Sequence, residues 1–79
     1  MQVEVLYFAA LRDAAGIASE RIETHAPDLA ALYAQLQLRH QLPFPQRQLR
    51  AAVEGLFAQW TDPVQPSTTI AFIPPVSGG

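Results

Sequence analysis

Apolar and polar positions alternate along the first residues of the chain. Val3, Val5 and Tyr7 fall on one face of an extended segment, and Glu4, Leu6 and Phe8 on the other. The pattern predicts a strand over residues 3–9 whose second face turns apolar toward its end. Leu11 to Ala15 predict a short helical turn, stopped by Gly16. Ser19 to Thr24 predict a second strand with Ile22 pointing inward, which makes residues 1–24 a hairpin. The period then changes: Leu29, Leu32, Tyr33 and Leu36 recur at i, i+3, i+4 and i+7, the stripe of a helix with one buried face. Asp28, after Pro27, suits the N-cap, and Arg39 and His40 stand in the last turn, where positive charge is favoured. Leu42-Pro43-Phe44-Pro45 cannot continue a helix and makes a stiff crossover. Leu49 to Val53 predict a third strand, Glu54-Gly55 a tight turn and Leu56 to Trp60 a fourth strand. A Pro-rich loop over 62–67 leads to a last strand, Thr69 to Ile73, ended by Pro74.

This order, ββαβββ, predicts an α+β fold in which a mixed sheet packs on one main helix. In the β-grasp form of that arrangement the first and last strands pair in parallel at the sheet centre, and both are apolar here. The chain reads as a single domain over 1–79, without repeats, and residues 74–79 read as an extended C-terminal tail. If Val3, Val5 and Tyr7 face the helix, Leu6 and Phe8 face away from it. One of Phe72 and Ile73 must do the same, because neighbours on a strand alternate. With Phe57 and Trp60 near them, these residues predict an apolar patch beside the tail, a surface suited to a partner.

Composition narrows the chemistry. The 79 residues are 49% hydrophobic and 15% charged, with a net charge of −2. Without a basic run, nothing favours nucleic acid. No apolar run approaches membrane-spanning length and no secretory leader is visible, so the expectation is a soluble, cytoplasmic protein. All five basic residues are arginines and cysteine is absent, so the side chains offer neither an amine for covalent chemistry nor a thiolate. His25 and His40 are isolated, without metal-ligand spacing, and are expected at the surface or in a cap. Asp13, Glu20 and Glu23 are expected to be solvated charges. Ser19, Ser67 and Ser77 lack a nucleophile-elbow context. No metal site, bound cofactor or self-contained active site is therefore expected.

The ending, Pro74-Pro75-Val76-Ser77-Gly78-Gly79, carries the remaining signal. Two glycines without Cβ atoms can enter a narrow channel and bring a terminal carboxylate close to a reactive centre. The prolines stiffen the segment, which can reach on the order of 20 Å at about 3.3 Å per residue. The expected behaviour is a thin arm, mobile alone and ordered when inserted into another protein.

Taken together, Val5-Leu6-Tyr7-Phe8-Ala9 with Leu11-Arg12 and Gly16, Leu49-Arg50-Ala51-Ala52-Val53, and Ala71-Phe72-Ile73-Pro74-Pro75-Val76-Ser77-Gly78-Gly79 resemble the small subunit of molybdopterin synthase. That family consists of ubiquitin-like, β-grasp sulfur carriers, and the resemblance covers nearly the whole chain. It implies that an activating enzyme uses ATP and Mg²⁺ to adenylate the Gly79 carboxylate, and that sulfur, delivered indirectly by another protein, converts it to a thiocarboxylate. The tail would then enter the large subunit, which turns cyclic pyranopterin monophosphate into molybdopterin in a complex of two small and two large subunits. On this reading the chain is the sulfur-donor subunit of a transferase, with Gly78 as the thin neighbour of Gly79. The resemblance further implies partner contacts at Phe8, Arg12, Phe57, Phe72, Ile73, Pro74 and Pro75. Pro66-Ser67-Thr68 and Glu54 depart from the family's usual turn residues. A thiamine-type sulfur carrier, a ubiquitin-like modifier of lysines and a binding module with an inert tail share many of these features.

Overall fold

A computed structural model describes residues 1–74 of the chain. Five strands form one sheet: β1 (Gln2–Tyr7), β2 (Ser19–Glu23), β3 (Arg50–Val53), β4 (Leu56–Ala58) and β5 (Thr69–Ile73). Their spatial order is β2-β1-β5-β3-β4. β1 runs parallel to β5 at the centre, and the other pairs are antiparallel. The helix α2 (Leu29–His40) packs on one side of the sheet, which makes the fold an α+β β-grasp.

The alternating pattern of β1 is realised as expected. Val3, Val5 and Tyr7 are buried and meet Leu29, Leu32, Tyr33 and Leu36 of α2 in one core with Ile70 and Phe72 of β5. Asp28 caps α2: its Oδ1 accepts from the Ala31 N–H at 2.8 Å, satisfying one donor that the helix start leaves open. The Pro-rich crossover is pinned where Tyr33 Oη–H and Gln37 Nε2–H both donate to the Phe44 carbonyl, at 2.5 and 3.2 Å.

Several element boundaries differ from the sequence reading. β1 ends at Tyr7 rather than residue 9, because the backbone turns at Ala9 into α1 (Ala9–Ala15), which joins the two hairpin strands. Gly16, at φ +80°, closes α1 in the left-handed region that its missing Cβ permits. A 3₁₀ turn over Gln46–Gln48 follows the crossover. β4 stops at Ala58, and Trp60 leaves the strand to pack inward. Its ring stacks on Phe72, with centroids 5.7 Å apart and planes 5° from parallel, and meets Tyr33 at 6.0 Å. Trp60 therefore closes the core edge and does not join the outward patch.

The β3–β4 turn uses two left-handed residues, Glu54 at φ +51° and Gly55 at φ +82°, the geometry a two-residue hairpin needs. A glutamate is unfavourable there. Its side chain compensates locally: Oε1 accepts from the Thr69 N–H at 3.0 Å, while the Glu54 N–H donates to the Thr69 carbonyl at 2.9 Å. The departure at Glu54 thus ties the turn to the start of β5.

Candidate functional site

Register places the outward residues in rows across the sheet. Leu6 of β1 is opposite Ala71 of β5, Ala71 opposite Ala52 of β3, and Ala52 opposite Phe57 of β4. Side chains directly opposite share a face, so these four form one continuous apolar row. Its two central positions are alanines and its flanks are larger, which shapes the row as a shallow trough. The next row toward the chain's end pairs Ile73 with Arg50. Beyond Tyr7 the backbone stays extended at Phe8, at φ −119° and ψ 148°, which turns that ring outward too.

Exposure separates the residues that sequence alone had grouped. Phe57 is 70% exposed and Phe8 45%; Ile73 is half-buried on the outer face. Arg12 is exposed on α1. Phe72 is 0% exposed: it points into the core against Tyr33, centroids 5.3 Å apart, and against Trp60. The expectation of a partner contact at Phe72 is corrected accordingly, for the strand turns Ile73 outward and Phe72 inward. Pro74, at the root of the tail, is buried as well. Pro75, Gly78 and Gly79 lie outside the described residues.

Arg50 is a residue the sequence reading did not single out. Its guanidinium carbon sits 5.2 Å from the Phe57 ring centroid, on the trough's flank and one residue pair from the root of the tail. Only the β3 register reveals this, since seven positions separate the two residues in the chain. Leu56, 73% exposed, projects from β4 toward the other side of the sheet, beyond the cover of α2.

A second cluster overturns the expectation of a solvated Glu20, while His40 stands in the last turn of α2 as expected and turns its ring to that carboxylate. Glu20 lies on the helix-facing side of β2, opposite Val5, and its side chain is only 10% exposed. Its Oε2 accepts from Tyr7 Oη–H at 2.6 Å and meets His40 Nε2 at 2.6 Å, while Oε1 lies 3.4 Å from Arg39 Nε. Burial pushes the Glu20 carboxyl up, but the hydrogen bonds from Tyr7 and His40 and the nearby charges outweigh it and hold the group below its ordinary value of 4.5. Burial and the Glu20 contact push the Tyr7 hydroxyl up, so it remains a donor. This network ties the end of α2 to the hairpin, and its groups are directed at one another rather than at an open cavity. Asp13 and His25 are exposed as expected, and Glu23 meets the Met1 amine at 2.5 Å.

Among the described residues no group of three or more potential ligands is placed to hold a metal ion, and no buried side-chain polar atom lacks a partner. Within the same limits, no helix is long and apolar enough to cross a membrane. A polar cleft of about 360 Å³ opens between the start of β1, Arg21 and Ser67 to Thr69, at the end of the sheet away from Ile73.

The profile of the ThiS family matches residues 5–79. The chain is 37% identical over 83 residues to the human molybdopterin synthase sulfur carrier subunit, covering 99% of this chain and 94% of that protein. The fold is similar to subunit 1 in a complex of subunits 1 and 2 of the molybdopterin-converting factor of Helicobacter pylori, with a TM-score of 0.70, 26% identity and full coverage of both chains. It is also similar to SAMP1 from Haloferax volcanii, with a TM-score of 0.83, 21% identity and full coverage of both chains.

Proposed function

Because the chain belongs to the ThiS family, alongside the sulfur-carrier subunits of molybdopterin synthase, we infer that it works by presenting Gly79 to other enzymes rather than through a site of its own. The observation that carries this reading is the match to the human sulfur carrier along 99% of the chain, together with a family match that runs through Gly78-Gly79. The likeness to SAMP1, at 21% identity, is one of fold.

The chemistry proceeds in three steps. The Gly79 carboxylate attacks the α-phosphate of ATP, held with Mg²⁺ on an activating enzyme, and pyrophosphate leaves. A sulfur nucleophile then attacks the acyl carbon and expels AMP, leaving a thiocarboxylate. In the large subunit that sulfur bonds to a side-chain carbon of the pterin substrate as a C–O bond at that carbon breaks, the oxygen leaving as phosphate or as water; a second water then cleaves the resulting thioester and restores the carboxylate. A dithiolene holds two sulfur atoms, so two charged tails serve each product. Because the sulfur travels on the terminal carbon, a chain without cysteine can carry it.

The domain's own contribution is to aim the arm. β5 lies at the sheet centre, between β1 and β3, so the strand that leads into the tail is held on both sides. The apolar trough beside it gives the large subunit a docking surface whose register fixes where the arm enters. The Helicobacter pylori complex supports a large-subunit partner of this kind. The test is sulfur transfer by the wild-type chain against a chain lacking Gly79. Loss of transfer with an unchanged thermal melt supports the reading; full transfer by the truncated chain refutes it.

A further inference from the structure

We propose that Arg50 selects the large subunit by meeting one of its carboxylate side chains at the rim of the trough. The inference rests on the docking reading above and adds the chemistry of the partner surface.

Two observations on the outer face lead to it. The first is the position of Arg50. It stands opposite Ile73 and leans over Phe57, so a partner covering the row from Leu6 to Phe57 also covers one side of the guanidinium. The second is its lack of a counter-ion: among the described residues no carboxylate lies within ion-pair distance of Arg50, whereas Arg39 has Glu20.

Charge on this face is also divided along the strands. In the rows away from the tail, Glu4 stands opposite Arg21 and Gln2 opposite Glu23, and Glu54 sits in the turn beside Thr69. The carboxylates of the outer face thus lie toward one end, and Arg50 stands beside the apolar row at the other. Covering an arginine without an acceptor is costly, because its water is lost and nothing replaces it. A carboxylate removes that cost, and the planar guanidinium can bind it through two parallel hydrogen bonds while its face stays on the Phe57 ring. An apolar partner surface with an acidic side chain at this rim fits; a wholly apolar or basic one does not.

The test is isothermal titration of the purified large subunit from the same organism with wild-type chain, Arg50→Gln, Arg50→Glu and Phe57→Ala, at low and high salt. Circular dichroism checks that each variant folds. A charge-assisted hydrogen bond lost on truncation corresponds to weakening of about tenfold or more. Arg50→Gln should show that loss together with a flatter salt dependence, and Arg50→Glu should weaken binding further. Wild-type affinity and salt dependence for both Arg50 variants, with Phe57→Ala weakened, overturn the inference and leave the docking reading standing. Wild-type affinity for Phe57→Ala as well overturns both. Tighter binding by Arg50→Gln also overturns it, because it shows that the uncovered charge opposes docking.

Discussion

Phe57 and Phe72 make the sharpest pair of perturbations, since the same substitution should have opposite consequences at the two sites. Phe57 is 70% exposed and Phe72 is 0% exposed. Of the roughly 200 Å² a phenylalanine can bury, about 60 Å² of Phe57 is covered within the domain and about 140 Å² remains for a partner. At about 25 cal/mol per Å², truncation to alanine removes no more than about 1.5 kcal/mol of folding stability but up to about 3.5 kcal/mol of binding. Ordering and desolvation reduce the binding figure, so a loss of about 2 kcal/mol, near thirtyfold, is expected. Phe72→Ala leaves a cavity between Tyr33 and Trp60 and should cost about 3–5 kcal/mol of stability. Urea denaturation measures the first quantity and calorimetric titration with the large subunit the second. If Phe57→Ala destabilised the fold as much as Phe72→Ala and bound the large subunit normally, the division of the sheet into core and docking faces would be wrong.

Other consequences are more local. Glu20 is held below its ordinary carboxylate value, so the stability it contributes is present above that value and is lost as pH falls from about 4.5 toward its lower folded value. Glu20→Gln should cost about 1.5–3 kcal/mol at neutral pH and flatten the acid limb of a stability–pH curve, as followed by urea melts from pH 7 to 3. Asp28→Ala removes the bond to the Ala31 N–H and should lower stability by about 1 kcal/mol, measured in the same way. Gly55→Ala places a Cβ on a residue at φ +82° with open space around it, so strain alone should cost about 1–2 kcal/mol, with binding of the large subunit unchanged in a titration. Extending the chain by one residue beyond Gly79 should leave the melt unaltered and abolish sulfur transfer.

The main elements were legible because each carries its own local signal. The change of period between Val3-Val5-Tyr7 and Leu29-Leu32-Tyr33-Leu36 separates strand from helix, and Asp28 and Gly16 mark helix ends by backbone chemistry that any sequence displays. The shared apolar character of the first and last strands suggested their central pairing, and the register confirms it. What was not legible depended on contacts distant in the chain. Alternation required one of Phe72 and Ile73 to face outward, but only packing against Tyr33 and Trp60 decides which. Trp60 continued an apolar segment, yet the strand ends at Ala58 and the ring turns into the core. Glu20 looked like any charge on an edge strand; its burial arises because α2 ends over it and supplies Arg39 and His40. Arg50 gave no signal because its partner ring lies on the neighbouring strand.

The central claim is that sulfur is carried on the carbonyl carbon of Gly79, and the mass of the intact chain tests it most directly. The purified protein would be incubated with its activating enzyme, ATP, Mg²⁺ and a sulfur source, then weighed by mass spectrometry with fragmentation of the C-terminus. Exchange of one oxygen for sulfur adds about 16 Da, confined to the fragment ending in Gly79, and incubation with the large subunit and pterin substrate should reverse it. An unchanged mass with an activating enzyme proven on another carrier, or an equal gain in a chain lacking Gly79, would contradict the account.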